Sequence, residues 1–252
     1  MANGRDVAIV TGGSRGIGAA TSLLLAKAGY LVVVNYVSNK PAAEKIVAQI
    51  VHDGGRAAAV QGDVANEDSI VQLFNAADRL GALKILVNNA GVVDVKARVD
   101  EMSAERLARM FTINITGSFL CAREAVKRMS TRHGGSGGAI VNMSSAAATL
   151  GAPGQYVDYA ASKGAIDTFT IGLAREVARE GIRVNAIRAG IIDTEIHASG
   201  GEPERAAQLR GQIPMQREGT AQEVAETIIW LASGKASYVT GACLSVSGGR
   251  SV

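Results

Sequence analysis

Val7-Ala8-Ile9-Val10-Thr11-Gly12-Gly13-Ser14-Arg15-Gly16-Ile17-Gly18 is the stretch on which the fold turns. Four apolar residues without alternation describe a strand buried on both faces. Glycines follow at once, and from Ala19 to Ala28 apolar residues recur at three-to-four spacing, so a helix begins where the glycines end. Strand, glycine-rich turn and helix in that order make an anion cradle. The glycines let the backbone approach a pyrophosphate, and the helix N-terminus offers unpaired N–H groups and the positive end of its dipole. A dinucleotide is the natural ligand; a glycine-rich turn without one is the alternative.

The same alternation runs through the chain. Short apolar runs recur at Leu31 to Val34, Ala57 to Val60, Ile85 to Val87, Ala139 to Met143, Arg183 to Ile187 and Leu244 to Val246. Between them, Ala42 to Ile50, Ser69 to Leu80, Ala104 to Met129 and Tyr159 to Glu180 read as helices. Doubly buried strands alternating with helices predict a doubly wound α/β fold, a seven-stranded parallel sheet with helices on both faces. No composition shift divides the chain, so residues 1–252 are expected to form a single domain. His133 to Gly138 is a flexible link into the fifth strand. Ligands of such sheets bind beyond the carboxyl ends of the strands, where the winding reverses. The polar segment from Asp193 to Gly219, with Gly200, Gly201, Pro203 and Pro214, follows the sixth strand at that edge and reads as a substrate lid.

Composition narrows the function classes. Of 252 residues 47% are hydrophobic and 19% charged, and the net charge of +3 is scattered, which argues against nucleic acid as a partner. No stretch of 18 apolar residues and no signal-peptide core occurs, so no membrane is implied and the expected location is cytoplasmic. Cys121 and Cys243 stand far apart in apolar sequence and read as buried thiols, not metal ligands. His52, His133 and His197 are isolated; His197 falls in the lid, as a solvated loop residue or a substrate contact. No metal site is expected.

Tyr159-Ala160-Ala161-Ser162-Lys163 sets a phenol and an ammonium four residues apart, on one helical face. A neighbouring ammonium favours the phenolate, so the pair is expected to ease proton exchange near neutral pH. Tyr156 is a rival acid but lacks a lysine four residues later. Ser145 ends the fifth strand and places a hydroxyl at its rim, with Ser144 as its rival.

The Gly-x-x-x-Gly-x-Gly spacing at Gly12, Gly16 and Gly18, Asn88-Asn89-Ala90-Gly91 after the fourth strand, and the set Ser145, Tyr159 and Lys163 together resemble the short-chain dehydrogenase/reductase family, over the whole chain. The resemblance implies a Rossmann fold and a nicotinamide-dependent oxidoreductase acting on a small carbonyl or alcohol. It implies that Tyr159 exchanges the proton, Ser145 binds the substrate oxygen, Lys163 lowers the phenol and binds the nicotinamide ribose, and Asn114 holds a water on the proton path. With all four present, the competing reading of a dinucleotide-binding regulator or scaffold with little activity is disfavoured.

The resemblance also implies the cofactor contacts. Gly12, Ser14, Arg15, Gly16, Ile17 and Gly18 belong to the loop, and Tyr36 and Ser38 follow the second strand. Asp63 and Val64 follow the third, where Asp63 either meets the adenine or caps the next turn. Asn89, Ala90 and Gly91 follow the fourth, and Gly190, Ile192 and Thr194 the sixth. The second strand ends Val34-Asn35-Tyr36-Val37-Ser38-Asn39 without the carboxylate that would select NAD. Arg15 is placed to pair with a 2′-phosphate, with Ser38 or Asn39 as donors, so NADP(H) is favoured and NAD(H) is the competing cofactor. Two departures stand out: Ala189-Gly190 replaces the usual Pro-Gly, and Ser247 replaces an aspartate near the C-terminus. The Ser145 to Tyr159 separation is one residue longer than the commonest spacing. For the substrate, 3-oxoacyl-carrier-protein reductase-like and glucose 1-dehydrogenase-like members are both similar. Arg128, Arg132, Arg175 and Arg179 are candidates to receive an acidic acyl carrier protein, with solvated helix faces as the equal alternative. A homotetramer packed through the two long helices is implied.

Overall fold

The computed structural model describes residues 6–195, 200–202 and 204–251. Seven strands form one parallel sheet: β1 (Asp6–Val10), β2 (Leu31–Tyr36), β3 (Arg56–Gln61), β4 (Ala82–Asn88), β5 (Gly138–Ser145), β6 (Ile182–Ala189) and, last in sequence, β9 (Cys243–Val246). Their order, β3-β2-β1-β4-β5-β6-β9, reverses its winding between β1 and β4. That is the doubly wound arrangement the apolar runs predict, and it opens a crevice beyond Val10 and Asn88.

The reason β1 shows no alternation is visible in its neighbours. Ala8 and Val10 pack with Leu25 of α1 (Gly16–Lys27), Ile50 of α2 (Lys40–His52) and Ile228 of the late helix Ala221–Ala232. Val7 and Ile9 face the other way, against Phe74 of α3 (Glu67–Asp78), Met129 of α5 (Gly117–Met129) and Ala174 of α7 (Val157–Val177). Both faces are dry, so both parities must be apolar. β3 lies at the sheet's edge and is only half-buried.

The stretch expected as one helix over Ala104 to Met129 is interrupted. α4 (Ala104–Phe111) passes into a π-helical turn, Thr112–Thr116, before α5 begins. The wider turn carries Asn114, and such bulges recur where a helix must re-aim a side chain. α6 is a single turn, Ala147–Leu150, and α8 spans Arg205–Leu209. A second sheet pairs β7 (Ile192–Asp193) with β8 (Gly219–Thr220) in parallel, and so closes the base of the expected lid. Pro203 and His197 lie outside the described residues.

Cys121 is buried, and burial pushes its thiol up to about 12; Cys243 is half-buried. Among the described residues no helix is long and apolar enough to cross a membrane. Arg128 is not available to an acidic partner as expected. Its guanidinium is committed to Asp78 (2.8 Å) and Glu124 (2.8 Å), and it lies over the Phe74 ring.

Candidate active site

The phosphate loop is shaped by its glycines. Gly12 and Gly16 take φ values of +61° and +50°, which favour glycine. A Cβ on Gly18 would stand 2.3 Å from the Gly12 carbonyl oxygen, so the α1 backbone approaches the loop as only glycine allows. Arg15, at the N-cap of α1, is extended and gives the helix no side-chain cap, whereas Asn39, Asn66 and Ser103 cap α2, α3 and α4. The first-turn N–H groups of α1 therefore stay available to an anion. Across the groove, Thr194 approaches to 3.3 Å of where a Gly16 Cβ would lie. These residues fit a dinucleotide pyrophosphate.

Asn89 secures the loop from β4: its Nδ2 donates to the Thr11 and Gly12 carbonyls at 2.9 and 3.1 Å. Asn35 does the same from β2, accepting from Gly12 N–H and donating to the Gly62 carbonyl. Its amide is thereby spent on the scaffold. Ser38 is exposed just beyond β2, while Asn39 accepts from the Ala42 N–H as a helix cap, which leaves only its amide protons for a phosphate. Tyr36 and Val64 are buried. Asp63 holds the following turn through the Ala65 N–H (2.9 Å), the capping role that competed with adenine contact. Arg15 is exposed and meets Glu195 at 3.4 Å.

At the ends of β5 and β6 a cavity of about 390 Å³ brings the other residues together. Ile17, Asn89 and Gly91 line its cofactor side, and Ser145, Tyr159 and Lys163 its centre. Gly190, Ile192 and Thr194 also line it, Thr194 beside the glycine loop. Lys163 is buried, donates from Nζ to the Met143 carbonyl (2.7 Å), and lies 5.6 Å from the Tyr159 ring centroid. Ser144 is buried and donates to the Lys163 carbonyl, whereas Ser145 is half-buried beside the phenol and accepts from the Ala147 N–H. The two serines thus face opposite demands.

The expected lowering of the Tyr159 phenol by Lys163 is corrected by the electrostatics. Burial raises the phenol above its ordinary value, and the Ser145 hydroxyl pulls the other way. Burial also brings Lys163 down to about 8, with Asp167 opposing. Desolvation disfavours the charged form of both groups and is the largest influence on each.

Asn114 lies behind this pair. Its Oδ1 accepts from the Val92 N–H (2.8 Å), and its Nδ2 donates to the Val92 carbonyl (2.9 Å) and Ser162 Oγ (3.2 Å). The side chain clamps residue 92, and Oδ1 keeps a second lone pair close to Lys163. A Cβ on Gly91 would come 3.3 Å from Asn114 Oδ1 and 3.5 Å from Lys163 Nζ, which shows how closely the three meet.

Without the proline, Ala189-Gly190 is still fixed: Ala189 accepts from the Ala146 N–H, and Gly190 donates to the Val246 carbonyl. Gly190 abuts Ser247, whose hydroxyl accepts from the Ser251 N–H. His52 and His133 are exposed and remote from the cavity lining.

Sequence reasoning missed a cluster at the outer end of the cavity. Tyr156, dismissed as an acid, donates its hydroxyl to Glu202 (2.8 Å), which also pairs with Lys96 and Arg205. Burial of Glu202 works against ionisation, yet Lys96, Tyr156 and Arg205 together hold its carboxyl down at about 2. Burial and Glu202 push the Tyr156 phenol up to about 12, unsuited to proton exchange. Glu202 and Arg205 are three residues apart, but no local spacing links them to residues 96 and 156.

Comparison with known proteins finds relatives along nearly the whole chain. The model of the enoyl-(acyl carrier protein) reductase family matches residues 12–251. An uncharacterized oxidoreductase, YgfF, of Escherichia coli is 56% identical over 97% of this chain and 99% of its own. A 3-oxoacyl-[acyl-carrier-protein] reductase of Synechocystis is 40% identical over 97% of this chain and 96% of its own. The solved structure of a short-chain dehydrogenase/reductase from Serratia marcescens superposes with a TM-score of 0.90 at 35% identity, covering 98% of each chain.

Proposed function

The chain belongs to the short-chain dehydrogenase/reductase family of oxidoreductases, and from that premise we propose that it interconverts a carbonyl and a secondary alcohol with NADP(H), Tyr159 being the general acid/base. The observation that carries this reading is the convergence of Tyr159, Ser145 and Lys163 on one cavity that Ile17 of the glycine loop and Asn89 also line.

A bound nicotinamide supplies or accepts the hydride at the substrate carbon. The proton on oxygen is left to the protein. In reduction the Tyr159 hydroxyl donates its proton to the substrate oxygen, and the Ser145 hydroxyl donates a hydrogen bond to the same oxygen as charge develops there. In oxidation the phenolate takes the proton back. Lys163, steadied by the Met143 carbonyl, offers positive charge to that phenolate and donors to the ribose hydroxyls. Asn114 is a positioning residue, holding Val92 and hence Gly91 against Lys163.

NADP(H) over NAD(H) is supported by the exposed Arg15 and by the absence of a carboxylate from Asn35 to Asn39. Arg15 exchanges Glu195 for the 2′-phosphate in this reading. Residues 193–219, clasped at their base by β7 and β8, serve as the lid of a single-domain enzyme in the cytoplasm. Phe119 and Ile171, exposed on α5 and α7, favour the expected homotetramer, which light scattering tests: a monomeric mass removes it. Arg132, Arg175 and Arg179 remain exposed for an acidic carrier protein.

Turnover of ketones, free sugars and acetoacetyl thioesters, each with NADPH and NADH, tests the proposal. NADPH-linked reduction of a carbonyl, lost in Tyr159→Phe, is the expected result. No nicotinamide-linked turnover of any of them, or a variant as fast as the wild type, overturns it.

A further inference from the structure

The outer end of the cavity carries charge that the proton chemistry does not use. Among its described lining residues are three cations, Lys163, Arg205 and Arg250, and no aspartate or glutamate. Lys163 belongs to the phenol. Arg205 is committed, donating to Glu202 (2.8 Å) and to Gln155 Oε1 (2.7 Å) and lying 5.0 Å over the Tyr156 ring.

Arg250 differs from both. It is half-buried on the turn after β9, where Arg250 N–H donates to the Ser247 carbonyl. That turn is held against the lid's base, since Met215 N–H donates to the Gly248 carbonyl. Among the described residues its guanidinium has no hydrogen-bond or carboxylate partner. Burial disfavours its charge, and Arg205 nearby disfavours it further. Glu202, the carboxylate paired with Arg205, is already shared between Lys96 and Arg205. A guanidinium withdrawn from water beside a second one, with no counter-charge among the described residues, is a costly arrangement for folding alone. Its planar donor fork suits a carboxylate or phosphate oxygen pair.

We propose that Arg250 is the anion receptor of the substrate pocket, and that the carbonyl substrate carries an anionic group, a carboxylate or a phosphate, at the end remote from the reacting oxygen. The inference rests on the oxidoreductase reading and names its substrate class. Apolar residues of the same lining, Leu150, Pro153 and Ile191 among them, suit a short carbon chain joining carbonyl to anion. A neutral sugar leaves Arg250 unanswered.

The test pairs anions with neutral analogues: 4-oxopentanoate with its methyl ester, and dihydroxyacetone phosphate with dihydroxyacetone. Binding to the protein saturated with NADP+ is followed by calorimetry, independently of turnover. At least one anion is expected to bind roughly tenfold or more tightly than its neutral partner. Arg250→Gln should abolish the difference and Arg250→Lys keep part of it. The pair that shows the difference tells carboxylate from phosphate. Equal binding within both pairs, or a difference undiminished in Arg250→Gln, overturns the proposal. Anion-selective binding without reduction of any compound leaves the receptor standing and sinks the oxidoreductase reading instead.

Discussion

Asp158 and Arg106 form a two-pronged pair, Arg106 Nε to Asp158 Oδ2 at 2.7 Å and Nη2 to Oδ1 at 3.3 Å, with the carboxylate wholly excluded from solvent. Asp158 immediately precedes Tyr159, and Arg106 also donates to the Val95 carbonyl (2.7 Å). One guanidinium thus joins α4, the segment after β4 and the first turn of α7. Removing one partner strands a buried charge. Arg106→Met should cost about 3 kcal/mol in urea unfolding, and Arg106→Met with Asp158→Leu should recover most of that loss. A cost below about 1 kcal/mol for the single variant would show that the pair is not holding the helix start.

Tyr159→Phe removes the exchangeable proton and little volume. Its kcat should fall by roughly 10²- to 10⁴-fold in both directions, with NADPH affinity unchanged. Parallel losses in rate and cofactor binding would point to a structural role instead.

Lys163 gives a pH dependence of known sign. Its folded value is about 8 against an ordinary 10.5. Between those values the unfolded chain holds a proton that the folded chain lacks, so the folded state gains stability as pH rises. Below about 8 both states are protonated, and burying the charge costs its full penalty, on the order of 3 kcal/mol. Lys163→Met should therefore exceed the wild type in stability near neutral pH, with the gap narrowing towards pH 10.5. A gap independent of pH would contradict the burial of this amine. Tyr159, raised above its ordinary value, works the opposite way only in more alkaline solution.

Arg15 and Glu195 face each other across the cofactor groove in an exposed pair. Arg15→Ala should weaken NADPH by about tenfold while leaving NADH nearly unchanged. Glu195→Gln should tighten NADPH by a few fold, because the guanidinium then has no competing carboxylate. Both effects should shrink in high salt. Equal losses for both cofactors in Arg15→Ala would remove the argument for NADP(H).

What could be read in advance follows from distance along the chain. Val7 to Val10 announced its strand because both faces are dry, and Gly12 to Gly18 announced its turn because neighbouring residues set the backbone there. The π-turn at Asn114 is hidden from local spacing: the residue its side chain clamps, Val92, lies 22 residues earlier. Arg128 looked like a free surface cation because Asp78, its partner, lies 50 residues away. Tyr156 looked idle for the same reason, its meaning residing in Glu202, 46 residues later. The sign of the Tyr159 shift depended on burial, which a four-residue spacing does not report.

The two short strands at Ile192 and Gly219 have a consequence for how specificity can change. Pairing of Ile192 with Gly219 and of Asp193 with Thr220 returns the chain to the point from which it left. The entropy of closing that excursion is largely met at its neck, and further residues add to it only logarithmically. Apart from Glu202, Arg205 and Met215, which bond to Tyr156, Gln155 and Gly248, the excursion is therefore an exchangeable cassette whose length can change, by evolution or by grafting, with little effect on the sheet beneath it.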